Sequence, residues 1–165
     1  MNDEVFAYYE HCPYSRSGAM NVLNKRREYC NIGFTNGCFD LLHVGHIDSI
    51  HRLACVAGFV VVAVNSDESA HRLKGDGHPV IPLQQRIQLL AALDDVDMVI
   101  PFDEAFPLAL IKAVMPKVLL KGAEYKEEQI VGVDFVQSYG GYVVRAPMVS
   151  DVSTSKIIER IKEKC

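Results

Sequence analysis

Residues 59–65, Phe-Val-Val-Val-Ala-Val-Asn, form an almost unbroken apolar run rich in β-branched side chains. A strand with one face in water alternates apolar and polar residues. A run without alternation predicts a strand covered on both faces, the situation of a parallel sheet between two layers of helices. The flanking sequence agrees. IGFT (32–35), DMVIPF (97–102), KVLLKG (117–122) and YVVRAP (142–147) are further strand-like bursts. Between them lie segments of helical period. In 45–57, Ile47, Ile50, Leu53, Ala54 and Ala57 share a face, and Gly58 suits the stop. In 82–96, Pro82 opens a stripe of Leu83, Ile87, Leu90 and Leu93. Residues 105–115 and 152–164 are expected to be helices, and 127–140 a helix in one or two pieces. This alternation predicts an α/β fold, a Rossmann-like doubly wound parallel sheet with helices on both faces. Sheets of that kind bind ligands at the carboxyl ends of their strands, near the switch point of strand order.

The first thirty residues are harder to read. HCPYSRSG, with Pro13 and Gly18, predicts loop, and 19–30 predicts a short helix whose Lys25, Arg26 and Arg27 form a solvated face. Residues 1–30 are therefore expected to be an N-terminal extension of loop and short helix, ahead of one domain over 31–165. The chain has 165 residues, which suits a single domain, and a formal charge of −4, which gives no support for nonspecific nucleic-acid binding. Five cysteines, an odd number without a CxxC pair, point away from a disulfide framework and toward a reducing compartment. The N-terminus lacks the basic head and apolar core of a signal peptide, and no run has the length of a membrane span. A cytoplasmic protein without membrane or nucleic-acid partners is expected.

The chemistry concentrates in TNGCFDLLHVGH, residues 35–46. His43 and His46 follow the first strand of the alternation and stand at the entrance to the next helix, with Gly45 between them. A helix start offers unpaired N–H groups and partial positive charge, glycine lets the backbone approach a ligand, and two imidazoles add donors. The pattern suits phosphate. Two alternatives stand beside it: a zinc pair, which would want more ligands than nearby Cys38, and a turn in which both rings are merely hydrogen-bonded. The dinucleotide fingerprint G-x-G-x-x-G is absent.

GCFDLLHVGH resembles the signature of the HxGH nucleotidyltransferase superfamily. With RLKG, QxR, KGxxY and STxxI following in order, residues from about 32 to 162 are similar to the adenylyltransferase domain of bacterial ADP-heptose synthesis, which occurs free-standing or fused to a sugar kinase. The resemblance implies transfer of NMP from a nucleoside triphosphate to a phosphorylated small molecule, with release of pyrophosphate and no covalent enzyme intermediate. Such a reaction needs positioning and charge neutralisation more than a nucleophile. It implies Mg²⁺ carried on the triphosphate with no direct protein ligand, and a homo-oligomer. Residues 1–30 do not match the sugar kinase, so no kinase activity is expected.

Residue by residue, the resemblance assigns His43 and His46 to the triphosphate and its transition state. Lys74 becomes a mobile ammonium on a loop, where the residue alone reads as a solvated lysine. Arg86 is turned toward the reactants' phosphates, where a polar helix face alone reads as solvent-facing. Thr35, Asn36, Gly37, Cys38 and Phe39 line the first loop with Gly45 beside them. Gly122, Ala123, Glu124 and Tyr125 flank base and ribose, and Lys121 beside them is assigned to the nucleotide. Ser153, Thr154 and Ser155 open the last helix, where capping and phosphate contact rest on the same physics. Asp40 is expected to shape the turn, and Cys38, with no evident base, is a poor nucleophile. The last motif departs from the family's G-x-S-T-T: here it is Asp151-Val152-Ser153-Thr154-Ser155. Asp151 is compatible with capping, with a water-mediated Mg²⁺ contact or with a different acceptor. The expected substrates are ATP and heptose 1-phosphate. A CTP-dependent enzyme for a polyol phosphate, another sugar phosphate or a phosphonate is the rival within the class. A non-catalytic nucleotide-binding regulator and an oligomeric scaffold are the rivals outside it.

Overall fold

The computed structural model describes residues 6–9, 12–123, 125–147 and 152–164. In chain order the elements are β1 (Ala7–Tyr9), β2 (Cys12–Tyr14), α1 (Arg16–Arg27), β3 (Ile32–Gly37), α2 (Val44–Ala54), β4 (Phe59–Asn65), α3 (Asp67–Lys74), α4 (Leu83–Ala91), β5 (Met98–Phe102), α5 (Leu108–Val114), β6 (Val118–Gly122), a 3₁₀ turn (Glu127–Gln129), α6 (Val133–Ser138), β7 (Tyr142–Ala146) and α7 (Thr154–Lys162). They build a seven-stranded sheet in the order β2-β1-β5-β4-β3-β6-β7. From β5 to β7 every pairing is parallel, and the order reverses between β3 and β6.

Strand β4 lies at the centre with all seven residues buried. Period-two geometry sends its side chains alternately to two separate cores. Phe59, Val61 and Ala63 join Ala19 and Leu23 of α1, Ile111 and Val114 of α5 and Val136 of α6 on one face. Val60, Val62 and Val64 join Ile50 and Leu53 of α2 and Ile87 and Leu90 of α4 on the other. A sheet so covered leaves its strand ends as the place where a polar ligand meets backbone.

Two expectations are corrected. HCPYSRSG, whose His11 lies outside the described residues, is not loop over 12–18: Cys12–Tyr14 pairs antiparallel with β1, β1 pairs antiparallel with β5, and Ser15 caps a helix that starts at Arg16. Ala7, Ala19 and Leu23 are fully buried in the first core, so this segment extends the sheet, which is mixed rather than wholly parallel. Pro13 is tolerated because β2 is an edge strand. The second correction is α3, which was not expected. Ser66 accepts from the Ser69 N–H, and Asp67 and Glu68 occupy the first turn. These are ordinary start signals, in a segment too short and polar to show an apolar stripe. Among the described residues no helix is long and apolar enough to cross a membrane.

Candidate active site at the carboxyl ends of β3 and β6

The switch point opens into a cavity of about 360 Å³. Its wall begins where β3 hands the chain to α2. His43 is the N-cap of α2, in extended backbone. The Gly45 N–H donates to His43 Nδ1 at 3.2 Å, and the His43 N–H donates to His46 Nδ1 at 3.4 Å. The rings stack, with centroids 3.7 Å apart and planes 19° apart. Burial lowers the pKa of both histidines, and with the neighbouring His43 it takes His46 down to about 4. Both rings are therefore neutral at pH 7. Because each Nδ1 accepts, each neutral ring carries its proton on Nε2. Capping also fixes the rings: the backbone holds one nitrogen so that the other is a donor of fixed position.

Gly45 has a second reason to be glycine. A Cβ there would stand 3.1 Å from Cε1 and Nδ1 of His43, and that ring cannot retreat without disturbing its stack on His46.

The structure brings most of the expected residues to this cavity. Thr35, Asn36, Gly37, Cys38 and Phe39 line it, with His43, Gly45 and His46. Lys121, Gly122 and Tyr125 lie on the β6 side, and Ser153, Thr154 and Ser155 at the start of α7. Lys121 Nζ donates to the side-chain and main-chain oxygens of Asn36, which ties β6 to β3 at the switch point. Ser153 caps α7 by accepting from the Lys156 N–H at 3.2 Å. Lys74 also lines the cavity, but as the last residue of α3 rather than on a loop, and Gly75 turns the chain away at φ +85°. Glu124 and Asp151 lie outside the described residues.

Arg86 is the main correction. It does not face the cavity. Its side chain is fully buried and donates to four acceptors: Ile81 O at 2.9 Å, Cys38 O at 2.5 Å, Asn65 O at 2.8 Å and Asp67 Oδ1 at 2.7 Å. It clamps the ends of β3 and β4 to the start of α3 from beneath. Helical periodicity distinguishes apolar from polar faces; it does not reveal that carbonyls at three strand and loop ends converge on one point inside.

Asp40 plays the matching part in the first loop. Its carboxylate, 4% exposed, accepts from the Val80 and Ile81 N–H groups at 2.9 Å each and from His78 Nδ1 at 3.3 Å. Its carbonyl accepts from the Thr154 hydroxyl at 2.7 Å. Burial alone would raise its pKa, but these N–H donors and the His78 ring outweigh burial and hold it below the usual carboxylate range. Asp40 thus ties three cavity walls together. His78 and Pro79 line the cavity and were not anticipated. Their only sequence signal is their place in the glycine-rich turn after Lys74. Burial pushes the Cys38 thiol up, in keeping with an inert residue. Among the described residues no three His, Cys, Asp or Glu side chains converge as a metal centre.

Comparison with known proteins adds the following. A family model described as cytidylyltransferase-like matches residues 34–160. Proteins called "Bifunctional protein HldE" are 48% identical over 133 residues in Alcanivorax borkumensis and 50% identical over 133 residues in Halorhodospira halophila, each match covering 81% of this chain and 28% of the relative. The chain thus spans a little over a quarter of the length of these curated relatives. Among solved structures, the lipopolysaccharide core biosynthesis protein from Thermoplasma volcanium superposes with a TM-score of 0.59 at 24% identity, over 73% of this chain and 97% of that one. Pantoate-beta-alanine ligase from Francisella tularensis superposes with a TM-score of 0.56 at 20% identity, over 88% and 74%. At these identities the superpositions speak to the fold.

Proposed function

The chain belongs to the cytidylyltransferase-like family, and from that premise we propose that it transfers a nucleotidyl group from a nucleoside triphosphate to a phosphorylated sugar. ATP and heptose 1-phosphate, giving ADP-heptose and pyrophosphate, are the favoured substrates. The similarity of RLKG, KGAEY and the α7 motif to the ADP-heptose branch supports the sugar. The observation that carries the reaction is the stacked His43–His46 pair, whose Nδ1 atoms are held by backbone N–H groups at the start of α2.

In the reaction a phosphate oxygen of the acceptor attacks the α-phosphorus. A new P–O–P link forms, the bond from the α-phosphorus to the bridging oxygen breaks, and pyrophosphate leaves with both electrons of that bond. No protein atom becomes covalently attached. The residues act on charge and position. The neutral Nε2–H donors of His43 and His46 meet the phosphate oxygens where charge builds up, from a cavity wall already held rigid before reaction. The α2 start favours the anion through its N–H groups and dipole. Lys74 supplies an ammonium from the end of α3, and the start of α7, with Ser153 and Thr154, receives the outer phosphates. Mg²⁺ is assigned to the triphosphate, where it neutralises phosphate charge when bound. Asp40 is not offered as its ligand, because both carboxylate oxygens already accept hydrogen bonds.

Pyrophosphate release, measured over a panel of nucleotides and sugar phosphates, tests this. ATP with heptose 1-phosphate should turn over, and His46→Ala should lower kcat by about 10²–10³-fold. Turnover with CTP alone would move the enzyme to the cytidylyl branch. Nucleotide binding without pyrophosphate release for any acceptor would leave a binding protein.

A further inference from the structure

The far end of α2 carries a second constellation that the proposed reaction does not use. His51 Nδ1 lies 2.9 Å from Asp95 Oδ2, and His51 Nε2 lies 3.8 Å from Cys55 Sγ. Position i to i+4 on the helix brings His51 and Cys55 together, and Asp95 arrives from the turn after α4. The hydrogen bonds assign the tautomer. An ionised carboxylate only accepts, so the proton sits on Nδ1 and points at Asp95. Nε2 is then the lone-pair nitrogen, and it faces the thiol. A nucleophile, a base and a group that orients the base are thereby in sequence within hydrogen-bond reach. The site is open: Cys55 is exposed and the His51 side chain is 64% exposed.

The other described cysteines are placed differently. Cys30 donates its S–H to the Arg26 carbonyl, and Cys38 faces Asn65 Oδ1 in the cavity wall. Cys12 is exposed on β2. Nothing about Cys55 is needed for packing, since its side chain is in water. Twelve residues of helical rise, about 18 Å, separate it from His43, so the site is remote from the cavity.

We propose that Cys55, with His51 and Asp95, is a surface site for thiol–disulfide exchange with small disulfides. His51 Nε2 takes the proton from Cys55 Sγ, and the thiolate attacks one sulfur of the disulfide. The S–S bond of the reagent breaks. A mixed disulfide forms on Cys55, and the departing thiolate regains the proton from Nε2. The protein sulfur is oxidised, and the other half of the reagent is reduced to a thiol.

The test uses the intact protein and oxidised glutathione, with adduct formation at each cysteine followed by peptide mass spectrometry at pH 7. Cys12 is the internal standard for an exposed thiol. The expected result is modification of Cys55 on the order of tenfold faster than Cys12, below the range of enclosed general bases because water competes here. His51→Gln and Asp95→Asn should each bring the Cys55 rate down toward the Cys12 rate and leave Cys12 unchanged. These substitutions lie on the surface, and an unchanged rate at the part-buried Cys38 of the cavity wall reports that the fold is intact. Equal rates at Cys55 and Cys12 in the parent protein would overturn the proposal. So would a Cys55 rate indifferent to both substitutions. The result is independent of the nucleotidyl-transfer reading, which is tested by pyrophosphate release.

Discussion

The cavity wall and the layer beneath it use polar groups in opposite ways. Beneath, Arg86 and Asp40 are buried and their hydrogen-bonding capacity is taken up by carbonyls, N–H groups and one another's loops. In the wall, His43 and His46 have one nitrogen each held by backbone and the other left to donate. The lower layer keeps loops in register; the wall presents donors. A buried polar group is tolerable only when satisfied, whereas a donor satisfied by the protein has nothing left for a ligand. The family pattern alone assigns Arg86 to the phosphates, and burial with four internal partners reassigns it to support.

Three substitutions or conditions probe that contrast. The largest expected effect is on stability. Arg86→Met removes a cation whose carbonyl partners at Cys38 and Asn65 are then left buried without donors. Chemical denaturation should show a loss of about 3–5 kcal/mol. A loss under 1 kcal/mol together with abolished turnover would return Arg86 to the reactants. Gly45→Ala is the complementary case. Its Cβ would press on the His43 ring within the stack, so kcat should fall by about tenfold, a barrier change of about 1.4 kcal/mol. Stability should change little, because alanine is a better helix former than glycine. Unchanged kcat would show that the ring can shift freely and that the stack is not needed.

The third probe is a slope with pH. His46 titrates near 4 in the folded protein, against 6.5 ordinarily. Between those values the unfolded chain binds a proton that the folded chain does not. Stability is therefore present above about 6.5 and declines as pH falls toward 4. His46→Gln should flatten this part of the denaturation-midpoint profile. Asp40, held below the usual carboxylate range, acts at lower pH and should leave its own decline in place.

Much was legible before any coordinates. The run at 59–65 announced a doubly covered strand, and it became β4 with the same bounds, since burial on both faces is written directly in the absence of alternation. His43, Gly45 and His46 announced a helix start, and His43 became the N-cap of α2, because cap chemistry is local in sequence. The edge hairpin was not legible. Strands of three residues carry too little periodicity to detect, and their pairing with β5 joins positions some ninety residues apart. His78 was not legible either, since only the fold brings it to Asp40, thirty-eight residues earlier.

By itself the sequence determined what depends on neighbours along the chain: the alternation of strand and helix, the two-layer burial of the sheet, and the imidazole pair at the head of α2. The tertiary structure alone decided which cation sits in the cavity and which lies beneath it, and which carboxylate is occupied by loop N–H groups. It also decided that Asp95 meets His51. Those outcomes depend on where remote carbonyls, carboxylates and rings converge, and convergence of remote groups is set by how the layers pack.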